Sequence, residues 1–391
     1  MKFFKIIPAL IFCLITSATF SQGEFVIEID TATGSYSQLG SAISGITWVF
    51  PNVRTYDETH GAYIFQGGPS VVDHLYSIDV TNGSIISNPY FASGGSCVRE
   101  PKYDNTNDTL YGLYWNNIQF FLAYVNPATG FYAQIGTNPI AGLSGTIQGG
   151  TTYNEVSHQY LAYDGSNLFS IDAHTGNLIS SPVLNLTPGD QLMHFCYNNT
   201  ANVLTGLIQN SSTQLCRLAS INPATGTVTQ VGTPTAYGTG GGSSTIDEIN
   251  QRYIYTSYDG VFYYVTTNDI ATGTIIANVP VPFSSGDNVS GIAFDNVKGK
   301  LYGTQWDANF DTGINNYSKA DDLIIYPVPA SNALTIQSSK EIGAIIIHNA
   351  LGEIVLQTKS KNMQELIDIS KLPAGFYTIS TQGNHKKITK E

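Results

Sequence analysis

The 391-residue sequence predicts an all-β repeat protein, and three observations carry the prediction. The turn Ile29-Asp30-Thr31-Ala32-Thr33-Gly34 returns in near-copy at residues 78–83, 125–130, 171–176, 221–226 and 268–273, in steps of 46 to 50 residues. A second motif, an apolar or aromatic residue followed by Asp or Asn and a polar bend, is interleaved with it six times, from Tyr56-Asp57 to Phe294-Asp295. The two ends of the repeat region carry half-units that complement each other. A period of this length suits one four-stranded blade, so the pattern predicts a six-bladed β-propeller.

Residues 1–21 place Lys2 and Lys5 ahead of the apolar run 6–15 and then small or polar residues to Ser21. This is the pattern of a secretory signal peptide cut after Ser21. The apolar run is too short for a membrane span of about 20 residues, and no other segment is apolar enough to span one.

The propeller is expected over residues 22–310. In each turn the Asp or Asn side chain accepts from backbone N–H groups two and three residues on, and the closing Gly supplies a positive φ. The six carboxylates and amides are therefore turn residues rather than ligands. The bends open strands such as Thr109-Leu110-Tyr111-Gly112-Leu113, so each unit holds two hairpins and four strands. First strands are rich in small residues, as in Ser44-Gly45, Gly94-Gly95-Ser96, Gly149-Gly150 and Ser290-Gly291, because innermost strands crowd around an axis. The fourth unit departs from this with Leu192-Met193-His194.

At the N-terminus the chain begins with a third and a fourth strand, at residues 25–29 and 36–39, and lacks the hairpin that should precede them. At the far end it finishes with a first hairpin at 290–306 that has no continuation. The N-terminal strands are therefore expected to complete the last blade and leave no free edge.

Charge and cysteines narrow the function. Residues 22–321 hold 23 acidic and 8 basic residues, a balance that repels phosphate backbones and excludes nucleic acid as a partner. Of the cysteines outside the signal peptide, Cys196 and Cys216 fall on the first and third strands of one blade, too far apart for a disulfide. With Cys97 they are expected as free thiols, nothing has the spacing of a zinc site, and no metal is expected.

A linker is read at 311–321, and a small antiparallel β-sandwich at 322–391. Three motifs in the latter are distinctive: Ile325-Tyr326-Pro327-Val328-Pro329-Ala330-Ser331-Asn332, Ile347-His348-Asn349-Ala350-Leu351-Gly352, and the run from Ile367-Asp368 through Pro373-Ala374-Gly375-Phe376-Tyr377. With the basic end Lys386-Lys387, this stretch resembles the type A C-terminal sorting domain of the type IX secretion system of Bacteroidetes. The family usually has Asn at Val328 and Gln or Lys at Glu353. The resemblance makes Tyr326, Pro327, Pro329, Asn332, Leu351, Gly352, Gly375, Tyr377, Lys386 and Lys387 the sorting motif. It implies a translocon and a sortase-like signal peptidase as partners, and a protein secreted or attached to the outer-membrane surface.

The Asp-x-x-Thr-Gly turn also resembles part of the quinoprotein repeat, but Trp48, Trp115 and Trp306 follow no turn at a fixed offset, so no cofactor is expected. Familiar hydrolase motifs are absent. Charged or titratable candidates near the axis are Arg54, Arg99, Glu100 and His194, as ligand-binding residues. Exposed aromatics at Tyr90-Phe91 or Tyr237 could stack on sugar rings. The reading is a binding or interaction module for a glycan or protein ligand, with no catalytic residue assigned. Its alternative is an extracellular hydrolase or lyase with its site at the channel mouth.

Overall fold

The computed structural model describes residues 23–43, 46, 48–68, 74–90, 92–93, 96–143, 147, 150–235, 243–259, 261–284, 287–307, 324–338, 341–349, 353–381 and 384–391. The signal peptide, the linker, Leu351, Gly352, Phe91, Tyr237 and most of the small-residue runs lie outside them. The chain divides into two compact units, residues 1–310 and 311–391.

Among the described residues, the first unit contains six antiparallel sheets. Sheet one runs outward from Trp48–Asp57 through Ala62–Gly68 and His74–Asp79 to Ile85–Ser87. Sheets two to five begin on Ser96–Asp104, Thr151–Asn154, Asp190–Asn198 and Ser244–Asp247, and sheet two adds the short strand Ala92–Ser93 inside its first. Sheet six starts from Asn288–Asp295 and Lys300–Asp307 and is completed by Gly23–Ile29 and Tyr36–Ile43. Ile27 pairs with Gly303 and Phe25 with Gln305, so the N-terminus closes the last sheet as the unmatched half-units require.

Turn chemistry fixes both the hairpins and the contacts between sheets. Asp30 Oδ1 accepts the N–H groups of Ala32 (2.8 Å) and Thr33 (3.0 Å), and Asn126, Asp172 and Asn222 repeat that pair of bonds. The closing glycine is needed twice over. Gly83 has φ +70°, and a Cβ there would lie 2.0 Å from the Leu39 carbonyl oxygen of the neighbouring sheet.

Middle strands carry apolar residues on both faces, because each sheet is covered on both sides by its neighbours. Every residue of Ala62–Gly68 is buried. Six apolar clusters fill the six inter-sheet gaps: Tyr56, Tyr63 and Tyr302 lie between sheets six and one, Ile64, Leu75 and Leu110 between one and two. Tyr153 and Leu122 lie between two and three, Leu161 and Phe195 between three and four, Leu218 and Tyr255 between four and five, and Ile254 and Phe25 between five and six. The innermost strands touch in the same closed cycle, from sheet one through sheet six and back to one.

The second unit is a three-stranded sheet (Ile324–Tyr326, Ala333–Gln337, Gln364–Asp368) and a four-stranded sheet (Ile354–Ser360, Gly343–Asn349, Gly375–Thr381, Asn384–Lys390). Both contribute to one core, with Leu334, Ile336 and Ile367 from the first and Ile345, Ile347, Ile379 and Ile388 from the second.

Candidate functional site

The six innermost strands surround an axial cavity of about 140 Å³. The end of it formed by the bends is ringed by the third residue of each bend motif: Glu58, Asn105, Glu155, Asn199, Glu248 and Asn296. These six form a closed belt. The Glu58 N–H donates to Asn105 Oδ1 (2.8 Å), Asn105 N–H to Glu155 Oε1 (3.1 Å) and Glu155 N–H to Asn199 Oδ1 (2.8 Å). Asn199 N–H then donates to Glu248 Oε1 (3.0 Å), Glu248 N–H to Asn296 Oδ1 (2.7 Å) and Asn296 N–H back to Glu58 Oε1 (3.2 Å). Each bond joins one sheet to the next.

Glutamate and asparagine alternate around the belt, and other layers alternate with them. Thr55, Thr152 and Thr245 accept from the N–H groups of Tyr103, Tyr197 and Phe294, each one sheet on, at 2.9, 2.9 and 3.0 Å. On the second strands, fully buried Tyr63, Tyr160 and Tyr253 alternate with Leu110, Leu204 and Leu301. The unit of repetition at the axis is therefore a pair of sheets, used three times.

Burial pushes the Glu58 and Glu155 carboxyls above the usual range against the bonds they accept, and the Glu155 charge adds to the effect at Glu58.

The deeper cavity is charged differently. Lys102 Nζ donates to the Arg54 carbonyl (2.7 Å), and burial brings its amine down to about 8. Lys102 and Cys196 retain some exposed area, but that area faces the channel rather than bulk water. The buried Arg54 guanidinium lies where a Cβ on Gly291 would be, 0.8 Å from Nη1, so the glycine makes room for it. Burial lowers the Arg54 pKa, and the charges of Glu24 and Glu100 oppose that shift. His194 lines the cavity at 6% exposure with no partner for Nε2, and burial first, then Arg54, brings its pKa to about 4. It is a neutral imidazole at physiological pH. Cys196 is pushed up to about 11 by burial and its Sγ lies 3.4 Å from Ser244 Oγ.

Of the residues expected near the axis, Arg54 and His194 line the cavity. Glu100 sits at a break in strand register with φ 55°, its carbonyl accepting from the Tyr160 hydroxyl. Its carboxyl is raised by burial, Oε2 is without a partner, and Lys102 and Arg54 act on it electrostatically. Arg99, its neighbour, is exposed and outside the lining. Tyr90 is 52% exposed and packs edge-on against His74. Cys196 and Cys216 are not joined in a disulfide.

Sequence reasoning missed Lys102 and the belt. The belt had a signal, the Glu/Asn alternation at the third bend position, recurring about every 95 residues. On the outer side of the same bends, Asp57, His60 and Asp108 bring three potential ligand atoms within 4.8 Å of one another. His60 Nδ1 lies 2.8 Å from Asp57 and 3.6 Å from Asp108, and the hydrogen bond to Asp57 first, then the charges of Asp57 and Asp108, raise the imidazole pKa.

In the second unit, Tyr326 and the prolines that follow it are exposed beside the strand Ile324–Tyr326, and the Asn332 carbonyl accepts from Ile369 N–H at 2.8 Å. Gly375 opens the strand Gly375–Thr381, in which the buried Tyr377 donates to the Pro373 carbonyl at 2.7 Å. Lys386 and Lys387 pair with Ile379 and Thr378. Residues 324–391 match the family model described as secretion system C-terminal sorting domain. The C-terminal unit is a type IX sorting domain. No curated protein matches this chain by sequence.

Among solved structures, a putative TolB from Agrobacterium tumefaciens has 9% identity and a TM-score of 0.51, over 73% of this chain and 99% of that one, and shares the fold. Weaker likenesses include PorZ, a surface component of the type IX secretion system of Porphyromonas gingivalis. It has 13% identity and a TM-score of 0.37, over 91% of this chain and 61% of that one. The Swd1 β-propeller domain of Myceliophthora thermophila has 11% identity and a TM-score of 0.40, over 68% and 85%. The sorting domain implies type IX export, and the closed cycle of sheets preceding it is a β-propeller. No helix of the described residues is long and apolar enough to cross a membrane.

Proposed function

We propose that this chain is a six-bladed propeller followed by a sandwich-like sorting domain, delivered by the type IX system to the cell surface or medium, where the propeller binds a ligand in its axial cavity. On this reading the signal peptide is removed, and a sortase-like peptidase cuts in the linker. Arg54 and His194, with Lys102 added, carry ligand contact, while Glu100 sets the field around the two cations. Arg99 is the least supported of the four residues expected, because it faces solvent.

The observation that favours binding over thiol-based hydrolysis is the state of Cys196 and His194. Cys196 is a protonated thiol beside a hydroxyl, and His194 is too acidic to serve as a base near neutral pH. An activated nucleophile needs its base within hydrogen-bond reach. The Lys102 ammonium, with one N–H spent on the Arg54 carbonyl, and the buried His194 Nε2 without a partner instead suit a ligand that satisfies them.

The test is a glycan, peptide and metabolite array probed with the mature full chain and with the double variant Arg54→Met/Lys102→Met. Capture of a ligand by the wild type and at least tenfold weaker capture by the variant is expected. Equal capture by both proteins would place binding away from the axis.

A further inference from the structure

The cavity is polarised along its length, and this points to the class of molecule it takes. At the bend end stand the carboxylates of Glu58, Glu155 and Glu248. A carboxylate has about four acceptor sites. Glu248 receives four bonds, from the N–H and side-chain amide of Asn199 and from the N–H and hydroxyl of Thr200. Among the described residues, Glu155 receives only those of Asn105 N–H and Thr106 Oγ1, and Glu58 is held by Asn296 alone. Glu58 and Glu155 therefore keep acceptor capacity for a cation.

The other layer offers donors. Lys102 spends one of its three N–H groups on the Arg54 carbonyl, the Arg54 guanidinium adds charge, and the buried His194 Nε2, a donor in the tautomer that carries its proton there, has no partner. The two layers act on the same groups, since Cys196 feels both Lys102 and Glu248. The strand runs two residues on from Lys102 to Asp104, a rise of about 7 Å, before the turn that carries Asn105 of the belt. A ligand bridging the layers needs its charges several ångströms apart, which an α-amino acid does not provide and a short peptide-like chain does.

We propose that the axial cavity takes a small zwitterion, with its ammonium against Glu58 and Glu155 and its carboxylate against Lys102 and His194. This rests on the binding reading above and gives that site its ligand chemistry. A simple cation leaves Lys102 unmatched and a simple anion leaves Glu58 and Glu155 unmatched, so each monopole satisfies one end only.

Isothermal titration of the mature full chain with 6-aminohexanoate, hexylamine and hexanoate tests this, since the three probes share a chain and differ only in charged ends. The zwitterion is expected to bind at least tenfold tighter than either monopole. Lys102→Met should reduce it to the level of hexylamine. Glu58→Gln/Glu155→Gln, which keeps acceptors in the belt, should reduce it to the level of hexanoate. A monopole that binds as tightly as 6-aminohexanoate, or a zwitterion unaffected by both variants, overturns the proposal. So does failure of all three probes while an array ligand is still lost in Arg54→Met/Lys102→Met, a result that leaves the axial binding reading standing.

Discussion

Lys102 is the residue whose ionisation most directly reports the character of the cavity. Its pKa falls from 10.5 to about 8 in the folded protein. Between those values the unfolded chain binds more protons, so stability should rise with pH through this window and carry the full cost of the buried charge below it. The shift corresponds to about 3 kcal/mol, offset by the bond to the Arg54 carbonyl and by the area Lys102 keeps in the channel. Lys102→Met should therefore stabilise the protein by about 1–2 kcal/mol at pH 7. Denaturant unfolding of both proteins should show that gain fading by pH 10, and a constant difference would mean the amine is not desolvated. Gly291→Ala tests the opposite kind of fit. The new methyl group takes the space of the Arg54 guanidinium, so a loss of about 1–3 kcal/mol is expected. An Arg54→Ala background should remove most of the penalty, as read from the coupling in a double-mutant cycle. Additive losses would show that the two residues do not compete for space.

Among the elements, the six bends do more than turn the chain, since their third residues tie every sheet to the next. Glu58→Ala leaves the Asn296 N–H without its acceptor and should cost about 1–3 kcal/mol. Glu58→Gln keeps an acceptor and removes a desolvated charge, so it should be neutral or slightly stabilising. Thermal unfolding of the pair distinguishes a belt held by hydrogen bonds from one that depends on charge, because equal losses would implicate the charge. The hairpins were legible in the sequence because turn chemistry is local: Asp30, Asn126 and Gly83 are read from their own neighbours. The belt was not, because Glu58 and Asn296 lie 238 residues apart and meet only once the cycle of sheets has closed. Lys102 was hidden for the same reason. Nothing near it in sequence shows that its amine turns toward Arg54 and a cavity.

For the whole molecule, closure depends on two strands contributed by the N-terminus. Gly23–Ile29 pairs along its length with Lys300–Asp307, and its Phe25 and Ile27 fill the gap to sheet five. Deleting residues 23–43 should expose that edge and abolish the single cooperative transition rather than shift it modestly. A monomer melting as sharply as the intact protein would contradict closure as the source of cooperativity. The complementary half-units made this closure readable from sequence, whereas the threefold use of sheet pairs becomes evident only when the Glu/Asn, Thr and Tyr/Leu layers are seen stacked on one axis. The division of labour between propeller and sorting domain is tested most directly by fractionating a type IX-competent host that expresses the chain with and without residues 324–391, following each product by mass. The full chain should reach the surface or medium without its terminal unit, and the truncated chain should remain in the periplasm as a folded propeller. Truncated propeller appearing at the surface would show that the address lies elsewhere in the chain.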